Sequence, residues 1–379
     1  MDDFHSRIEE KLKAQADKML FRRLRVMPPN LRDFTSNDYL GMARSAALAN
    51  RIGQRLTDRT PLENGSGGSR LLAGNSRFTE ETEAYLATIS KAESALIFNS
   101  GFMANVGVLS CLPQRGDTIL YDEHAHASIK DGVRLSLADR FSFRHNDLDD
   151  LSRKLTRHKG IAYIVVESVY SMDGDESPLR DIVNLATDHN AIVILDEAHS
   201  TGTYGPRGGG LALSMGLQDR IPIRILTFGK AMGVHGACVC GSAPLRDFLI
   251  NFSRPFIYTT ALPSHSVASI LCSFEYLGEN EYLRDTLRER IALFRKHYKK
   301  ETGSTSAIQP IRVPGNENAR AAADYLQQRG FDVRPVLSPT VREGTERLRI
   351  CLHAFNSEND IIELASELNR LDDDESTSG

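Results

Sequence analysis

Asp196 and Lys230 stand where an enzyme would use them: each lies just past or at the close of a short apolar run, Asp196 ending AIVILD and Lys230 within RILTFGKAMG. A lysine amine attacks an aldehyde to form an imine, and a carboxylate facing a pyridine nitrogen keeps that nitrogen protonated. The protonated ring can then accept the electrons of a carbanion formed beside the imine. Either residue alone at a strand end is ordinarily a helix cap or a surface charge. The two together point to pyridoxal 5'-phosphate (PLP) as cofactor. His199, in DEAHSTGTYG, is delivered to the same edge. Thr227 and the amides of Gly229 and Lys230 lie where a phosphate could be held. Gly101, in NSGFMAN, opens a helical pattern whose exposed first N–H groups favour a phosphate as well. GSGGSR at 65–70 is phosphate-loop-like in composition but lacks the Walker spacing, and reads first as a tight mobile loop. His126, in DEHAHASI, could lie flat on a ring at the sheet edge, and His124 could serve instead.

These positions make sense only if a particular sheet carries them. From Ser94 to Gly241 short apolar runs recur between helical patterns: SALIFN, DTILYD, IAYIVVES, AIVILDEAH, IRILTFG and ACVCG. Such alternation predicts βα units and a mostly parallel sheet covered on both faces, with active residues at the carboxyl ends of its strands. Ahead of it, residues 3–24 carry Ile8, Leu12, Met19 and Leu20 at helical spacing, an amphipathic helix ending before Pro28-Pro29. Behind it, Leu283, Leu287, Ile291, Phe294 and Tyr298 share the face of a long connector helix. A strand, a helix at 315–329, short strands within 331–351 and a closing helix from Ser357 make a smaller α+β unit. The expected division is an N-terminal helical segment (1–60), a large cofactor-binding domain (61–278), a connector helix with a small C-terminal domain (279–371), and an acidic, solvated or disordered tail (372–379).

The bulk numbers narrow the class. With 41% apolar and 25% charged residues the chain has ample material for a core, and its formal net charge of −4 argues against a duplex-binding surface. Five cysteines, Cys111, Cys238, Cys240, Cys272 and Cys351, include no Cys-x-x-Cys pair, which fits neither a disulfide framework nor a zinc site and suits a reducing cytoplasm. No stretch approaches the roughly 20 apolar residues of a spanning helix, so neither export nor membrane insertion is expected.

With these pieces in order, the sequence resembles the α-oxoamine synthase family, which condenses an amino acid with an acyl thioester and releases CO2. The resemblance covers nearly the whole chain. It is carried by SNDYLGMA (36–43), GSGGSR, NSGFMAN, HAHASIKDG (124–132), ESVYSMDGD (167–175), DEAHSTGTYG, TFGKAMG (227–233), PFIYTTALP (255–263) and GTERLRI (344–350). It implies an α/β fold, the PLP-dependent transferase fold type I. Within the family, TFGKAMGVHGACV and RHNDLDDL look most like the members that use L-alanine and a pimeloyl thioester, carried by coenzyme A or by a carrier protein.

By this resemblance Lys230 is both the imine lysine and the base that removes the α-proton, and Asp196 pairs with the pyridine nitrogen. His199 would bond the cofactor's phenolic oxygen, which Ser171 would also approach, and His126 would stack on the ring. Gly101, Phe102 and Thr227 would hold the phosphate, with Thr259 or Thr260 reaching it from the partner subunit of a homodimer. Arg349 would grip the amino acid carboxylate, a task suited to a planar guanidinium, and Arg22 would help hold the acyl substrate. Two departures stand out: RVMPPNLRDFTSNDYLG is shorter than the family's segment, and His353-Ala-Phe-Asn356 replaces the usual Thr-x-x-His after Arg349. The rival readings are a relative using glycine or L-serine, a plain aminotransferase, and a non-catalytic regulatory partner. The last should lack the imine lysine, and Lys230, Asp196, His199 and His126 are all present.

Overall fold

In a computed structural model the described residues are 2–18, 20–24, 26, 30–58 and 63–377. Among the described residues twelve strands run in chain order: β1 (Arg32–Asp33), β2 (Ser94–Phe98), β3 (Thr118–Asp122), β4 (Asp139–Phe143), β5 (Ala162–Glu167), β6 (Ile192–Asp196), β7 (Ile223–Thr227), β8 (Ala237–Gly241), β9 (Ile308–Arg312), β10 (Phe331–Asp332), β11 (Arg334–Val336) and β12 (Arg347–Cys351). Seven of them form the large sheet in the order β2-β8-β7-β6-β5-β3-β4. Strands β7, β6, β5, β3 and β4 are parallel, while β8 runs antiparallel to both β2 and β7.

All six expected runs lie in this sheet, because a strand buried on both faces must be apolar throughout. On β5, Tyr163 and Val165 pack into one core and Ala162, Ile164 and Val166 into the core on the opposite face. The strand the apolar pattern does not reveal is β4. Four of the five residues of DRFSF are exposed, since β4 is the sheet's edge and has only one neighbour to hold it in register.

The C-terminal unit is a three-stranded antiparallel sheet, β11-β12-β9, packed against the helices Asn316–Gln328 and Glu358–Thr377. The connector face from Leu283 to Phe294 lies on one helix, Tyr282–His297, with Tyr298 as its C-cap, and a separate helix, Ser264–Glu279, precedes it. The leading helix is shorter than its periodicity suggests. It spans Asp2–Asp17 and leaves Phe4, Ile8 and Leu12 exposed, while Met19 and Pro28-Pro29 lie outside the described residues.

Residues 30–44 do not behave as part of a separate N-terminal segment. Strand β1 pairs in parallel with β10, about 300 residues later, and Phe34 is fully buried in the C-terminal core. His353 and Asn356, where the family pattern is broken, close this seam. Asn356 Nδ2 donates to the Asp33 carbonyl at 3.0 Å, and His353 Nε2 lies 2.9 Å from the Ser36 carbonyl. At the other end, the acidic stretch continues the last helix as far as Thr377, with Asp372 taking a hydrogen bond from Tyr298 and an ion pair from Lys300. Tyr298 and Lys300, just past the neighbouring helix, thus hold Asp372, where composition alone marks the start of a loose tail.

Candidate active site

Beyond the carboxyl ends of β3, β5, β6 and β7 lies a cavity of about 260 Å³, and Lys230, Asp196, His126, Thr227, Gly101 and Phe102 all line it. Residues scattered over about 130 positions thus meet because parallel neighbours end together. Burial pushes the Lys230 amine down to about 8, with the Asp196 and Glu167 carboxylates opposing the shift. Asp196 is buried and held on both oxygens: Oδ1 accepts the Ala198 N–H at 2.9 Å and Oδ2 accepts Asn105 Nδ2 at 2.7 Å.

The phosphate end depends on a glycine. Ser100 caps the helix Gly101–Cys111 by accepting the Met103 N–H, and the helix starts against the end of β7. A Cβ at Gly101 would lie 2.4 Å from Thr227 Cγ2, so any other residue would push the helix off the strand. The positive pole of that helix, the Thr227 side chain and the following turn therefore line one end of the cavity. An anionic group at that end, a reactive lysine and a buried carboxylate in one concave site fit PLP in size and in chemistry.

Of the two candidate histidines, His126 is the one that lines the cavity. Its ring borders the cavity, while His124 stacks on His145 at 4.1 Å, outside it. His145 in turn bridges Asp122 and Asp175, whose carboxylates raise it to about 10 against the opposing effect of burial. This group pins the loop that carries Ser171. The loop turns at Gly174 (φ 68°), where a Cβ would sit 2.2 Å from the Ile308 carbonyl, and Ser304 Oγ donates to the Gly174 carbonyl at 2.8 Å.

His199 and Arg349 do not line this cavity; His199 and Tyr39 line a second one of about 260 Å³. His199 is buried, and burial with the nearby Lys230 and Arg349 charges holds it well below the usual imidazole range. Its Nδ1 lies 2.8 Å from the Tyr39 hydroxyl. Arg349 donates through Nε to the Ser171 carbonyl at 2.5 Å and through Nη2 to Asn37 Oδ1 at 3.0 Å, and Asn37 lines the cavity.

Other expected site residues lie elsewhere in the chain. Thr259 and Thr260 meet Asn99, whose Nδ2 donates to Thr259 Oγ1 at 3.3 Å and to the Thr260 carbonyl at 2.9 Å, and neither threonine lines this cavity. Arg22 is exposed in an irregular stretch and does not line it either. GSGGSR is held rather than mobile. Ser66 Oγ donates to the Ala261 carbonyl, the Gly68 carbonyl accepts the Ala261 N–H, and Arg70 forms a part-buried double contact with Glu83 at 2.7 and 3.0 Å.

Four participants carried no assigned role in the sequence: Asn37, Tyr39, Asn105 and Glu167. Glu167 ends β5 beside Asp196, accepts the His126 N–H at 2.6 Å, and is raised to about 8 by burial and by the Asp196 charge. Asn105 was signalled by spacing, since it lies one helical turn beyond Gly101 and so on the same face.

A family model described as Aminotransferase class I and II matches residues 29–368. A curated 8-amino-7-oxononanoate synthase from Emericella nidulans is 41% identical over 380 residues, covering 93% of this chain and 92% of that protein. Among solved structures, a serine palmitoyltransferase from S. paucimobilis with bound PLP superposes with a TM-score of 0.87 at 28% identity, covering 98% of this chain and 97% of that one. An 8-amino-7-oxononanoate synthase from Francisella tularensis superposes with a TM-score of 0.76 at 28% identity, covering 91% and 99%.

Proposed function

The chain belongs to the aminotransferase class I and II family, and within it we propose that it condenses L-alanine with a pimeloyl thioester to give 8-amino-7-oxononanoate and CO2, using PLP. The observation that carries this reading is the 41% identity, over 93% of the chain, to a relative of that name. The fold is that of the type I PLP-dependent transferases, and Lys230, Asp196, His126 and Thr227 line one cavity in it.

When bound, PLP supplies a protonated ring that accepts an electron pair from the substrate's α-carbon. Asp196 keeps the proton on the ring nitrogen. Its own carboxylate stays oriented because Ala198 and Asn105 hold it from behind. Lys230 takes the α-proton on Nζ, for which an amine near 8 is well matched, being partly neutral near pH 7. The α-carbon then bonds to the thioester carbonyl carbon and the thiol leaves. In the second stage the bond from the α-carbon to the carboxylate breaks, CO2 departs and a proton replaces it.

His126, which lines the cavity, would stack on the bound ring and exclude water there. With Nδ1 of His199 occupied by Tyr39, Nε2 is the atom left for the phenolic oxygen, which Ser171 would also approach. Arg349, steadied by Asn37 and the Ser171 carbonyl, receives the amino acid carboxylate. Gly101, Phe102 and Thr227 receive the phosphate. Because Thr259 and Thr260 do not line this chain's cavity, the reading gives them to the partner's site in a homodimer. Arg22 is assigned to the acyl end, and a cytoplasmic setting suits the free cysteines. Among the described residues no helix is long and apolar enough to cross a membrane.

Mass analysis of products tests the proposal. The purified protein is supplied with L-alanine, glycine or L-serine and with pimeloyl or long-chain acyl thioesters, on coenzyme A and on a carrier protein. L-alanine with the pimeloyl thioester should dominate and yield 8-amino-7-oxononanoate. A glycine or L-serine product made faster would replace the substrate assignment.

A further inference from the structure

Along the cavity lining a file of polar atoms connects Asp196 to His126 through Asn105 and Ser128. Asn105 Nδ2 lies 2.7 Å from Asp196 Oδ2 and 3.0 Å from Ser128 Oγ, and Ser128 Oγ lies 2.7 Å from His126 Nδ1. Asn105 is 2% exposed and Ser128 0%, so solvent does not compete for these bonds.

The direction of each bond can be worked out from one fixed end. An ionised carboxylate only accepts, so the Asn105 amide must turn its NH2 toward Asp196. The second hydrogen of that NH2 is then directed at Ser128 Oγ. A hydroxyl that accepts at one lone pair sends its own hydrogen elsewhere, and the acceptor within reach is His126 Nδ1. The backbone supports the same answer: the Ser128 N–H, which can only donate, points at Nδ1 from 3.2 Å. Two donors converge on Nδ1, so the ring is neutral and its proton sits on Nε2. The protein around the ring and the Lys230 charge also disfavour a second proton, against the opposing pull of Asp196.

We propose that Asn105 is a positioning residue which, acting through Ser128, holds His126 as a neutral ring protonated on Nε2 and ties its orientation to the Asp196 carboxylate. The consequence bears on the cofactor site. A neutral ring over the cavity adds no second positive charge, so it does not compete with Asp196 for the proton on the pyridine nitrogen. The inference deepens the function proposed above, yet its test reads the histidine itself and can fail while that function stands.

Full-length holoenzyme labelled with 15N-histidine answers the question through long-range proton–nitrogen correlations, with His126→Gln identifying the signal. The wild-type His126 should show a protonated Nε2 and a bare Nδ1 across neutral pH. In Asn105→Asp the new carboxylate accepts from Ser128, so the hydroxyl no longer donates to Nδ1. Protonation at Nδ1 should then appear, and the ring's pH midpoint should rise by about one unit or more, as expected for an added nearby carboxylate. Should that variant fail to fold, Ser128→Ala removes only the hydroxyl and should make the Nδ1-protonated form detectable, and Ser128→Thr should restore the wild-type pattern. A wild-type His126 protonated on Nδ1, or a pattern unmoved in Ser128→Ala, overturns the proposal.

Discussion

The Tyr39 hydroxyl lies 2.8 Å from His199 Nδ1, joining residues 160 positions apart. The same hydroxyl and its neighbour Asn37 also meet Arg349 Nη2, at 3.5 and 3.0 Å. The histidine assigned to the cofactor's phenolic oxygen and the arginine assigned to the substrate carboxylate are therefore braced by one short segment.

Tyr39→Phe should leave the fold intact and remove the partner of a buried nitrogen, at a cost of about 1 to 2 kcal/mol. The expected loss is about 5- to 30-fold in kcat/KM, with a moved pH midpoint of the cofactor's absorption band. Kinetics and band both matching wild type would show that His199 needs no help from Tyr39.

Lys230 should be the site of covalent attachment. The purified protein is expected to be yellow, and borohydride reduction with peptide mapping should put the pyridoxyl group on Lys230. With the amine near 8 rather than 10.5, PLP should associate with the cofactor-free protein faster as pH rises through about 8, then level off. A rate still climbing toward pH 10 would contradict the lowered value.

Glu167→Gln tests the second buried carboxyl by its pH signature in the cofactor-free protein. Folded Glu167 sits at about 8 against 4.5 for the free side chain, so between these values the folded state holds a proton the unfolded state has lost. Its stabilising contribution is complete below about 4.5 and is lost as pH rises through about 8. The Gln variant does not titrate, so its melting temperature should gain on the wild type across that window. Parallel melting profiles would mean that Glu167 is ionised throughout.

Arg349→Lys keeps the charge and loses the planar fork. The KM for L-alanine should rise by roughly tenfold or more, on the scale of one charge-assisted hydrogen bond, while the KM for the thioester stays within about twofold. A rise confined to the thioester would move Arg349 to the acyl end.

Mixing an inactive Lys230→Ala chain with an inactive chain carrying Thr259→Ala and Thr260→Ala should restore part of the activity, because the hybrid dimer has one intact site. Sedimentation showing that the active species is a monomer would exclude shared sites.

Much of the candidate site was legible in the chain because it rests on local signals. An apolar run buried on both faces announces a strand, and parallel strands expose their carboxyl ends, so Asp196, Thr227 and Lys230 could be placed from the residues just preceding them. The edge strand β4 gave no such signal, since an edge needs little apolar surface. His126 was preferred to His124 through the resemblance of HAHASIKDG and not through local pattern, since the two are separated by a single residue; the packed chain adds that His126 lines the cavity while His124 stacks on His145. Asn37 and Tyr39 reach the site because β1 pairs with β10 and His353 and Asn356 clamp the seam. Such a contact spans some 300 residues and leaves no periodic mark at either end. Strand ends and their chemistry follow from nearest-neighbour hydrophobicity, which a sequence displays directly. The bracing of those side chains depends on which distant surfaces meet, and that was decided only when the whole chain packed.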